Sequence, residues 1–73
     1  MQVQLEFVFD TEPDAYRFLN TAKHFAAKDL IVKRGRSSQH VLIRYRYADG
    51  EFDDTAAKLD DLAREMGGEE FSG

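Results

Sequence analysis

Two histidines, His24 and His40, and a serine pair, Ser37 and Ser38, are the side chains of this sequence best suited to chemistry. A metal site needs ligands spaced so that they share one face. Neither histidine has another histidine or a carboxylate three or four residues further on, so both are expected at the surface or rim. Ser37 and Ser38 close to His40 have the makings of a nucleophile and a base. No elbow glycines bracket them, however, and no acid is placed to orient the imidazole, so a hairpin turn is the expected use of the segment. Asp49-Gly50-Glu51-Phe52-Asp53 has the outline of a calcium loop. Its sixth position is Asp54, where the loop needs glycine, and its twelfth is Asp60, where it needs glutamate. Capping of a following helix is the expected role instead. The chain has no cysteine, which excludes disulfides, thiolate metal sites and a cysteine nucleophile. No glycine-rich phosphate loop is present. The chemistry-bearing residues therefore predict no catalytic centre, no metal and no cofactor.

Composition sets the remaining bounds. A chain of 73 residues makes one domain whose core is marginal in size, so self-association is expected. No apolar run approaches the ~20 residues that cross a bilayer, and the opening MQVQLEFVFD lacks the basic and apolar regions of a signal peptide. These features predict a soluble, cytoplasmic protein with no membrane partner. The net charge of −4 is unevenly spread. Residues 28–47 carry Lys28, Lys33, Arg34, Arg36, Arg44 and Arg46 against Asp29, a balance of +5, whereas residues 49–73 have nine acids against Lys58 and Arg64, a balance of −7. Such separation produces a field that can steer a partner.

The elements that must position these groups follow from periodicity. Val3, Leu5, Phe7 and Phe9 alternate with Gln2, Gln4 and Glu6, which predicts a half-buried strand. Thr11 is placed to cap a helix, with Pro13 tolerated in its first turn and Asp14 at the capping-box position. The apolar stripe Ala15, Phe18, Leu19, Ala22, Phe25 and Ala26 predicts that this helix runs to about Lys28. Leu30 to Lys33 reads as a strand, Gly35 to Ser38 as a turn, and Val41, Ile43, Tyr45 and Tyr47 as the inward face of a hairpin partner. Asp53 or Asp54 then caps a second helix, whose inward residues are Ala56, Leu59, Leu62, Ala63 and Met66. Asp60 and Arg64 form an i,i+4 pair on it, and Gly67 ends it in the left-handed conformation. Gly68 to Phe71 is long enough for a short edge strand anchored by Phe71 near Met66 and the first strand. The order βαββαβ predicts an α+β, ferredoxin-like sandwich over residues 1–73, both helices on one face of an antiparallel sheet, the last strand at an edge beside the first.

The stretches "FVFDTEPDAYRFL" and "LDDLAREMGGEEFSG" resemble the RraB family, regulators of ribonuclease E activity. Its members combine a strand, an acidic turn and a first helix with a final helix and a Glu-aromatic-x-Gly ending. Glu70, Phe71, Ser72 and Gly73 match that ending, and Leu59, Leu62, Ala63 and Met66 match the helix before it. Phe71 stands where the family usually has tyrosine and Ser72 where it has an acid. The resemblance implies a ferredoxin-like protein that binds ribonuclease E and dampens RNA decay without chemistry of its own.

The expected function is therefore non-enzymatic protein binding, with Asp60, Asp61, Glu65, Glu69 and Glu70 as the candidate acidic contact face. The alternative is an RNA-binding module using Lys33, Arg34, Arg36, Arg44 and Arg46. RNA readers of this shape stack bases on exposed aromatics of the central strands. Here Tyr45 and Tyr47 are in phase with the buried residues, so that platform is not expected. Leu42, Ile31 and Val8 leave an apolar patch on the open face that a homodimer or another partner could cover.

Overall fold

The computed structural model describes residues 1–72; Gly73, the end of the family-like Glu-Phe-Ser-Gly segment, lies outside the described residues. Six elements follow in the order β1 (Gln2–Phe9), α1 (Glu12–Ala22), β2 (Lys28–Arg34), β3 (His40–Arg46), α2 (Thr55–Glu65) and β4 (Gly68–Glu70). The four strands form one antiparallel sheet in the order β2-β3-β1-β4. The protein is thus α+β, and its last strand lies at an edge beside the first.

Strand periodicity decides where the core sits. Phe7 and Phe9 of β1 and Val41, Ile43 and Tyr45 of β3 bury one face of the sheet. Ala15, Phe18 and Ala22 of α1 and Leu59 and Ala63 of α2 join the same cluster, so both helices cover that face. Phe18 packs edge-on against Phe7, with ring centroids 5.2 Å apart, and tilted against Phe9 at 4.9 Å. Fully burying each such ring contributes about 1.5–3 kcal/mol. The opposite face, formed by Gln4, Glu6 and Val8 of β1, Leu42 and Arg44 of β3 and Ile31 and Lys33 of β2, carries no helix among the described residues.

The first helix departs from its expected length. Thr11 caps it, its hydroxyl accepting from the Asp14 amide at 3.2 Å. Asp14 takes Arg17 in an ion pair at 2.9 Å, the partnership observed where a reciprocal capping box was expected. The helix stops at Ala22 with Lys23 as its C-cap, not near Lys28. The amides of His24 and Phe25 then turn back onto Thr21 and Ala22. This tight turn keeps Phe25 against the core while freeing Lys28 to begin β2 two residues earlier than expected. A bulge between Lys28 and Ile31, with Asp29 at φ 53°, lets the strand enter the sheet.

Asp54 is the N-cap of the second helix, but its side chain makes no capping bond. Asp53 performs that task, one of its oxygens accepting from the Thr55 amide at 3.4 Å and from the Thr55 hydroxyl at 2.8 Å. Gly67 ends the helix at φ +85°, as its position predicted.

Candidate functional site

The five candidate acids fall on α2 and β4, which are joined by Met66 and Gly67 and pack beside one another. Asp61, Glu65, Glu69 and Glu70 are exposed, whereas Asp60 is half-buried and held by Arg64 at 3.2 Å. The expectation that all five are exposed is corrected for Asp60, which is half-buried, while its expected i,i+4 pair with Arg64 is present. On β4, Glu69 lies opposite Val8 and Glu70 opposite Phe7. Neighbouring residues of a strand point to opposite faces, so the two glutamates straddle the sheet edge.

The candidate bases are divided. Lys33, Arg44 and Arg46 lie on the open face, since Lys33 pairs with Leu42 and Arg44 with both Gln4 and Ile31. Arg34, opposite the buried Val41, belongs to the helix side and approaches Glu12 at 4.0 Å. Arg36 leaves the strand at the hairpin turn. Its guanidinium and its amide both reach Glu6 Oε2, at 3.3 and 3.4 Å, and the guanidinium carbon sits 4.3 Å from the centre of the Phe71 ring. Arg44 is half-buried and donates to Gln4 at 3.2 Å. The five therefore do not form one basic track.

Phe71 lies on the open face, not near Met66. Its amide donates to the Glu6 carbonyl at 2.7 Å, which continues the β1–β4 ladder and sets Phe71 opposite a residue that faces away from the helices. There it meets Arg36 and packs at right angles to His40, ring centroids 4.9 Å apart. Gly35 permits this arrangement: a side chain there would lie 2.7 Å from Glu6 Oε2 and 2.9 Å from His40 Cβ. The open face thus carries the aromatic that was expected as an anchor near Met66, although it comes from the edge strand and not from the central strands where RNA readers stack bases.

Ser37 and His40 are in contact, Ser37 Oγ lying 2.7 Å from His40 Nδ1. The same hydroxyl accepts from the Gln39 amide at 3.2 Å, the usual bond of a serine that shapes a turn. His40 Nε2 is buried and has no partner among the described residues, so no carboxylate orients the ring as a base would require. Among the described residues no three His, Asp or Glu side chains are grouped to hold a metal ion. Among the described residues no helix is long and apolar enough to cross a membrane.

Two features had no expectation attached. The Tyr45 hydroxyl donates to Asp53 Oδ2 at 2.7 Å, linking β3 to the start of α2. Burial, and then the bond to Asp53 and its charge, push the Tyr45 phenol above its usual range. The bond from Tyr45, followed by that from Thr55, holds the Asp53 carboxyl below its ordinary value. The second feature is Phe52, which is 88% exposed in the loop before α2. Its signal in the sequence is that no apolar side chain stands within three residues on either side, from Asp49 to Thr55, so no periodic face includes it.

Comparisons with protein families, with curated proteins and with solved structures return no match for this chain. The fold and the arrangement of charge on it therefore carry the functional argument.

Proposed function

We propose that this chain is a cytoplasmic, non-catalytic protein-binding module of ferredoxin-like type, and that the edge built from α2 and β4 is the surface its partner meets. The observation that carries this reading is the exposure of Asp61, Glu65, Glu69 and Glu70 on two adjoining elements, with Asp60 already paired to Arg64. An edge of this kind favours a basic partner, which it would steer and orient more than hold. The likeness of the Glu-Phe-Ser-Gly ending to the RraB family supports ribonuclease E as that partner and damped RNA decay as the outcome. The supporting experiment measures binding of the purified chain to purified ribonuclease E and, in parallel, the cleavage rate of a single-stranded RNA. Saturable binding with slowed cleavage is expected. Absence of both refutes the regulator reading.

A second reading, an RNA-binding module, is favoured by one observation: Lys33, Arg44 and Arg46 share the open face with Phe71. Only three of the five candidate bases then meet phosphate, so log affinity should fall with log salt at a slope of about −2, from about −0.7 for each contact. A titration of single-stranded RNA at low salt decides it, and no binding there ends the reading.

A further inference from the structure

Among the described residues four large apolar side chains remain exposed: Met1, Tyr16, Ile31 and Phe52. Two of them sit among charges of opposite sign. Ile31, 45% exposed, lies directly across from Arg44, and Lys33 follows it on the same face opposite Leu42. Ile31 and Leu42 thus form an apolar island rimmed by Lys33 and Arg44, and neither base has an ion-pair partner among the described residues. Phe52, 88% exposed, follows Glu51 in a loop that begins at Asp49.

The loop holds Phe52 outward by fixed bonds on both sides. Before it, the Glu51 amide donates to the Ala48 carbonyl at 3.1 Å, a turn that Gly50 completes at φ +81°. After it, Asp53 is held toward Tyr45 and Thr55 through both of its oxygens. A side chain presented on so fixed a backbone loses little freedom when it is covered. Anchoring aromatics of this sort dominate the energetics of the interfaces they enter.

We propose that a second copy of this chain covers both features, the Phe52 loop of each copy seating on the Ile31–Leu42 island of the other, with Glu51 against Lys33 and Arg44. Charge complementarity selects the occupant. A foreign partner would have to carry a basic-rimmed apolar island for Phe52 and an acid-flanked apolar group for Ile31, whereas a second copy brings both. Because each copy gives and receives the same contact, the pair closes on a two-fold axis. This surface is separate from the α2–β4 edge, so the dimer stands or falls independently of the partner proposed there.

Sedimentation equilibrium over a concentration series tests it on the wild-type chain and on Phe52→Ala and Ile31→Ala, both exposed positions, with circular dichroism expected to show the fold of each variant intact. A monomer–dimer equilibrium is expected, with each variant raising the dissociation constant at least about tenfold. Glu51→Lys and Lys33→Glu should each weaken the dimer, and the two together should restore much of the loss. A strict monomer at the highest concentration overturns the proposal. So does a dimer that either truncation leaves unchanged, a pair of charge reversals whose effects merely add, or growth beyond the dimer, which would show a contact that does not close.

Discussion

Phe71 pairs with Glu6, not with the core beside Met66: its amide donates to the Glu6 carbonyl at 2.7 Å, and its ring lies under the Arg36 guanidinium that Glu6 also binds. The last strand is thereby tied to the β2–β3 turn across the open face. Truncation of Phe71 to Ala removes a half-buried ring and a cation–π contact, and should cost about 1–2 kcal/mol, against about 3–5 kcal/mol for a core phenylalanine such as Phe18. Urea denaturation of the two variants side by side checks the difference. Equal losses would place Phe71 in the core after all.

Gly68 is predicted to be the more sensitive position of the ending. A side chain there would meet two carbons of the Phe9 ring at 2.4 Å and the Val8 carbonyl at 2.8 Å, and Phe9 is itself fully enclosed by the core. Gly68→Ala should therefore destabilise by about 1–3 kcal/mol through overpacking. Gly50, with nothing within 4 Å of the added carbon, has only its φ of +81° to resist substitution. Gly50→Ala should cost about 1 kcal/mol from backbone strain alone. Thermal melts of both variants separate the steric cost from the conformational one.

The Tyr45–Asp53 bond makes stability depend on pH at both ends. The folded chain keeps the Tyr45 phenol protonated beyond about pH 10, where the unfolded chain releases that proton. Its contribution is full below that pH and declines as pH rises above it. Asp53 behaves in the opposite sense. Its folded form favours the carboxylate, so its contribution is full above the unfolded value of about 3.9 and is lost as pH falls through the lower folded value. Tyr45→Phe should cost about 1 kcal/mol near neutrality, remove the alkaline decline and shrink the acid one. Denaturant midpoints across pH for wild type and variant give the comparison, and parallel curves would refute the coupling.

Much of this architecture is legible in the residues themselves. Phe7, Phe9, Val41, Ile43 and Tyr45 fall on the buried face because a period of two leaves no other choice. Thr11 and Gly67 mark helix ends because only particular chemistry satisfies those backbones. The end of α1 is not legible, since Phe25 and Ala26 continue the helical stripe while the chain has already turned. Nor is the face of Phe71: it depends on the register of β4, which Gly67 and Gly68 set, and a shift of one residue would reverse it. For the candidate site, charge composition correctly located the acids on α2 and β4. It could not show that Arg34 and Arg36 leave the basic face, because that depends on which strand neighbour each one meets.

The acidic edge yields the sharpest separation of fold from function. Asp61, Glu65, Glu69 and Glu70 are exposed and none is held in an ion pair among the described residues, so replacing them together by lysine should shift stability by no more than about 1 kcal/mol. Asp60 differs, because it anchors Arg64 on the same helix at 3.2 Å. Asp60→Lys would set two cations one turn apart and cost a further few tenths of a kcal/mol, about 0.5 at most. Binding of a basic partner should respond to the four exposed reversals mainly through slower association, with the effect shrinking as salt is raised. Stopped-flow or surface-binding kinetics at two salt concentrations read this directly. Association rates unchanged at low salt would reduce the edge to a solvated surface, because a charge reversal of this size at a true contact cannot leave the encounter rate untouched.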